Sequence, residues 1–118
     1  MGEINLLTSH PHTKRNYDVR EKEKTPEIIN IAKQFGREFF DGKRECGYGG
    51  YVYDGRWKSV LKKMGKYWNL SDDFSVLDVG CGKGFMLNDF KELWPSCTVA
   101  GVDISEYALG NSMPSVKP

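Results

Sequence analysis

Gly80, Gly82 and Gly84 stand directly behind an apolar stretch, with Asp78 just before them and Asp103 about twenty residues further on. A glycine turn after a buried strand lets a ligand approach the backbone where a side chain would collide, and it aims the amides of the following helix at that ligand. An acid at the end of the next strand can accept hydrogen bonds from both ribose hydroxyls. The pair reads as a nucleoside site. Three ligand classes compete for it. A nucleoside triphosphate needs a Gly-Lys-Ser/Thr ending, but Lys83 is followed by Gly84 and Phe85. The dinucleotide fingerprint needs glycine where Phe85 stands, which lowers an NAD(P)-binding Rossmann oxidoreductase reading without removing it. Asp78 would repel a pyrophosphate, yet it suits a ligand carrying an ammonium and a sulfonium.

The elements that must position these residues follow from pattern. Phe74 to Val79 is apolar and β-branched enough for a buried strand. Met86, Leu87, Phe90, Leu93 and Trp94 form a helical stripe closed by Pro95, and Thr98 to Val102 reads as a second strand with Asp103 at its end. Strand, glycine turn, helix and strand make one βαβ unit with parallel strands expected. Upstream, Thr25-Pro26-Glu27 reads as a helix start, and Ile28, Ile31, Ala32, Phe35 and Phe39 carry that helix to about Asp41-Gly42. A second helix starts after Asp54, with Trp57, Val60, Leu61, Met64 and Trp68 on one face, and runs to about Asn69. Trp57 and Trp68 are read as core. Between the two helices, Cys46 to Tyr53 alternates glycine and tyrosine and reads as a loop or a short strand. The expected organisation is a flexible charged tail over 1–24, a helical extension with the Gly/Tyr-rich loop over 25–73, and the βαβ unit over 74–118.

Bulk properties bound the function. The chain has 118 residues, 39% of them hydrophobic, with seventeen basic and sixteen acidic residues and a net charge of +1. That length suits one modest core. The balanced charge offers no field for nucleic acid, and no apolar run is long enough for a membrane span. A cytoplasmic protein with no nucleic-acid and no membrane partner is expected. Cys46, Cys81 and Cys97 are odd in number and lack CxxC spacing, so neither a disulfide framework nor a zinc knuckle is expected. His10 and His12 lack the further ligands that a metal site requires, and no metal is assigned.

Val76-Leu77-Asp78-Val79-Gly80-Cys81-Gly82-Lys83-Gly84 resembles motif I of class I S-adenosylmethionine (SAM)-dependent methyltransferases, and Gly101-Val102-Asp103-Ile104-Ser105 resembles the acidic motif that follows it. The resemblance covers roughly Phe74 to Leu109. The segments Gly47 to Tyr51 and Asp54 to Trp57 also resemble an N-terminal extension found in some bacterial members. The resemblance implies a partial Rossmann-like parallel sheet, α/β in class, preceded by two amphipathic helices, with SAM as cofactor. It implies that Gly80, Cys81 and Gly82, with Gly84 completing the turn, lie against the methionine portion, that Asp78 fixes its amino group, that Asp103 holds the ribose and that Ile104 flanks the adenine.

Lys83 is expected to face solvent, and Cys81 to be a small residue tolerated by the turn, since no adjacent base marks it as a nucleophile. Tyr48, Tyr51 and Tyr53 either pack the extension onto the sheet or close over the cofactor, where aromatic faces attract a sulfonium. In the resembled family the acceptor-facing residues come from loops after later strands, so no catalytic residue is assigned, and a small molecule or sugar is the expected acceptor. The expectation is an N-terminal portion of a longer methyltransferase, inactive as residues 1–118 alone. The alternative is a non-catalytic SAM-binding or interaction fragment that completes its sheet with another chain through an unpaired strand edge.

Overall fold

The computed structural model describes residues 2–117; Met1 and Pro118, the outer limits of the expected tail and βαβ unit, lie outside the described residues. The apolar stretch before the glycines forms β1 (Ser75–Val79), the stripe after them forms a helix over Phe85–Leu93, and β2 (Thr98–Val102) returns beside β1. The strands pair in parallel with Val76 opposite Val99 and Asp78 opposite Gly101. This is the expected βαβ unit. Four helices precede it: α1 (Tyr17–Glu23), α2 (Pro26–Ala32), α3 (Arg37–Asp41) and α4 (Trp57–Trp68). The crossover helix is therefore α5, and α6 (Glu106–Gly110) follows β2. Among the described residues no helix is long and apolar enough to cross a membrane.

One face of the sheet is covered. Leu61 of α4, Phe90 of α5 and Cys97 form its buried centre, with Trp57, Met64, Phe74, Val76 and Val99 packed around them. α4 approaches α5 where Gly65 leaves room for the Trp94 ring; a Cβ there would stand 2.5 Å from the indole. The other face carries Leu77, Val79 and Val102, all exposed, and β1 pairs only with β2 among the described residues. A parallel sheet open on one face leaves apolar surface that such sheets ordinarily cover.

Three expectations need correction. Phe74 to Val79, expected as a buried strand, forms β1 with one face only covered, because Leu77 and Val79 meet no packed element among the described residues. The helix expected from Thr25 to about Gly42 is two helices. Thr25 does cap the first, its Oγ1 accepting from Ile28 N at 3.2 Å, but the chain turns at Phe35, whose φ is +48°. The break falls beside Gly36, the N-cap of α3, and at it the Phe35 carbonyl accepts from Ser105 Oγ at 2.5 Å while Phe39 and Phe40 pack against Tyr48 and Tyr51. Trp68, read as core, is exposed at the end of α4. Its helical position is on the core side, but the α4–α5 packing is made by Leu61 against Phe90 and by Gly65 against Trp94, one turn earlier. The segment Cys46 to Tyr53 is a loop entered by a single 3-10 turn over Arg44–Cys46.

Candidate functional site

The glycine turn joins β1 to α5 with Gly80, Gly82 and Gly84 all at positive φ (84°, 56° and 75°). It is tied to the end of β2: Gly80 N and Cys81 N both donate to the Val102 carbonyl, at 2.7 and 3.1 Å. Asp103 completes the tie. Its Oδ2 accepts from Gly82 N at 2.7 Å and its Oδ1 from Ser105 N at 2.8 Å. The carboxylate that the sequence singled out for ribose recognition thus also holds the turn in place, each oxygen keeping a second lone pair for a ligand.

Asp78 shares the covered face with Val76 and points up beside the turn. It is half-buried, and burial followed by the charge of Asp103 pushes its carboxyl above the ordinary aspartate value, with no hydrogen bond from the described residues to offset them. Two carboxylates close together without a cation between them form an electrostatically incomplete site. At Gly80 an added Cβ would meet open space. No side chain caps α5, so its first amides remain available beside the turn. Ile104 stands 82% exposed just past Asp103.

Cys81 turns the other way. Its side chain is buried against Gly101, where a Cβ would come within 2.7 Å of both Cys81 Sγ and Leu87 Cδ1. Burial, reinforced by Asp78 and Asp103, raises the thiol's pKa, which keeps it a protonated packing group. Only its backbone belongs to the turn's ligand-facing side. A cleft of about 490 Å³ opens on the β2 side of the turn, lined by Gly82, Gly84, Leu109, Ser112 and Val116 among others, but neither carboxylate lines it.

Lys83, expected to face solvent, does not. Its side chain is 11% exposed, and its Nζ donates to Asp41 Oδ2 at 2.7 Å and to the Tyr51 carbonyl at 3.0 Å. Asp41 also accepts from Tyr51 N at 3.0 Å and from the Tyr107 hydroxyl at 2.5 Å. Burial raises its pKa, but the bonds from Lys83, Tyr107 and Tyr51 together with the Lys83 charge outweigh that and bring it down to about 2. Asp41 was missed because nothing local marks it: it reads as a helix-ending acid, and its partners come from three other segments. The available signal was a lysine placed in the middle of a glycine turn. Tyr53 reaches α5 as well, donating to the fully buried Asp89 at 2.5 Å.

A family model for the methyltransferase domain matches residues 70–112. This stretch is similar to the methyltransferase domain family over about a third of the chain. The matched segment spans β1, the glycine turn, α5, β2 and α6, so Asp78, the glycines and Asp103 lie within it, while Asp41 and the tyrosine loop lie outside. No curated protein and no solved structure matches the chain significantly.

Proposed function

We propose that the chain holds SAM for methyl transfer to a small-molecule or sugar acceptor. The observation that carries this reading is the half-buried Asp78 carboxylate, unpartnered among the described residues and repelled by Asp103. A cation relieves that repulsion, whereas a pyrophosphate would add to it. The residues fit the group: Asp78 would receive the ammonium, the amides at the start of α5 the carboxylate, Asp103 the ribose hydroxyls, and the exposed Ile104 would lie along the adenine. Cys81 would contribute through its backbone, and Gly80, Gly82 and Gly84 by leaving space at the turn.

When bound, SAM supplies a methyl group on a sulfonium, an electrophile with an excellent leaving group. The protein's part is then to hold and orient the amino acid end, since alignment of nucleophile and methyl contributes most to such a displacement. The acceptor class rests on the balanced charge of the chain, which provides no footprint for a nucleic acid. Calorimetric titration with SAM, S-adenosylhomocysteine and NAD tests the reading: SAM is expected to bind more tightly than NAD, and the reverse order overturns it.

A second reading is favoured by the exposed Leu77, Val79 and Val102 on the open side of the sheet. An uncharged sheet face beside an unpaired β1 edge is suited to a second copy of the chain. Sedimentation should show concentration-dependent self-association that Leu77→Lys abolishes; a monomer at all concentrations rejects this reading.

A further inference from the structure

Both main-chain polar groups of Tyr51 are held by one ion pair. Its N–H donates to Asp41 Oδ1 at 3.0 Å and its carbonyl accepts from Lys83 Nζ at 3.0 Å, while Asp41 and Lys83 bond each other at 2.7 Å. Lys83 belongs to the glycine turn and Asp41 to the end of α3, so the clamp presses a loop from outside the matched segment onto the turn itself. A clamp of this kind fixes where the Tyr51 ring lies.

The ring's faces are already occupied. Phe85 stacks on it with centroids 4.5 Å apart and 15° between planes, and Tyr48 lies 4.5 Å away at 40°. The Tyr51 ring is thus engaged by aromatic neighbours rather than free to face a sulfonium. What remains is the hydroxyl end. The ring edge and hydroxyl stand 3.3 and 3.4 Å from the place a Cβ would take at Gly82, the residue whose N–H is bonded to Asp103. Burial, then Tyr48 and the carboxylates Asp78 and Asp103, push the Tyr51 hydroxyl up to about 12, so the group is a neutral phenol at physiological pH.

We propose that Tyr51 is a cofactor-site residue: its hydroxyl, delivered over Gly82 by the Asp41–Lys83 clamp, joins the Asp78 carboxylate in receiving the cationic amino acid end of SAM. This rests on the SAM reading above. A phenol both donates and accepts, so the hydroxyl can bond the ligand's ammonium or its carboxylate, which the Asp78 carboxylate alone cannot do. Asp41 and Lys83 are positioning residues that act through Tyr51.

The test is a ligand-observed NMR titration of the chain with SAM into the millimolar range, with thermal unfolding followed in parallel. Tyr51→Phe keeps the packed ring and removes only the oxygen; a loss of affinity of about tenfold is expected, the effect of one hydrogen bond to a charged group. Lys83→Met should weaken SAM in the wild-type background and add little in the Tyr51→Phe background, which a purely structural role for Lys83 would not produce. Intermolecular NOEs from the Tyr51 ring to the methionine protons of SAM are expected in the unsubstituted chain and need no variant. Unchanged affinity in Tyr51→Phe, or bound SAM without those NOEs, overturns the proposal while leaving the cofactor reading intact. An unsubstituted chain that binds NAD and not SAM overturns the cofactor reading, and the proposal with it.

Discussion

Lys83 and Asp41, 42 positions apart, form a largely buried ion pair of 2.7 Å that joins the glycine turn to the end of α3. Because Tyr107 and the Tyr51 backbone bond the same carboxylate, removing Asp41 leaves several donors unpaired at once.

The acid dependence of stability follows from this pair. The Asp41 pKa is lowered from 3.8 to about 2, so its contribution is fully present above pH 3.8 and is lost as pH falls through about 2. A contribution on the order of 2 kcal/mol is expected. Urea unfolding from about pH 6 down to roughly one unit below the lowered pKa should show the decline in the natural chain and a flatter curve in Asp41→Asn. Equal slopes in the two would remove Asp41 from the account.

Asp78 works in the opposite direction. Its folded-state pKa is raised, by burial first and Asp103 second, so the free protein loses stability as pH rises from 3.8 through the raised value. Asp78→Asn should therefore raise the melting temperature while weakening SAM, since the carboxylate costs stability in the fold and is useful only with a cation beside it. In the natural chain SAM affinity should fall as pH drops through the raised pKa, and binding there should release a proton. Isothermal titration in buffers of different ionisation enthalpy measures that proton; none released at any acidic pH would count against Asp78 as the ammonium partner.

Replacing Asp103 has two effects rather than one. Asp103→Ala should weaken SAM by roughly 1.5 to 3 kcal/mol through the ribose. It also strips the acceptors from Gly82 N and Ser105 N, so a loss of about 1 to 2 kcal/mol in unfolding free energy should accompany it. Asp103→Asn keeps an acceptor and should recover part of the stability. Weakened binding with an unchanged unfolding midpoint in the alanine variant would show that the two backbone bonds contribute nothing.

Gly101 tests the packing beneath the turn. A Cβ there would come within 2.7 Å of Cys81 Sγ and Leu87 Cδ1, so Gly101→Ala should cost about 1 to 3 kcal/mol by overpacking. Adding Cys81→Ala removes one of the two obstructing atoms and should restore part of the loss. Chemical denaturation of the two single variants and the double variant measures the coupling; strict additivity would mean that Cys81 and Gly101 do not share that space.

The sequence alone determined the parts whose causes are local. Apolar, β-branched runs mark β1 and β2, the 3.6-residue period marks α4 and α5, and glycines between strand and helix mark the turn, so the βαβ unit and the places of Asp78 and Asp103 beside its turn were legible before any fold was known. Thr25 was legible as a cap for the same reason: its partner, Ile28, is three residues away. Only the tertiary structure decided the rest. The Phe35 carbonyl at the break finds its partner in Ser105, seventy positions on; Lys83 turns inward onto Asp41; and the Tyr51 backbone is held by Asp41 and Lys83 together. A lysine carries the same local pattern whether solvent or a buried carboxylate receives its ammonium, and a tryptophan at the last turn of a helix is on the core side only as far as the neighbouring element extends. Periodicity fixes which way a side chain leaves its own element, whereas its partner is set by how separate elements come together.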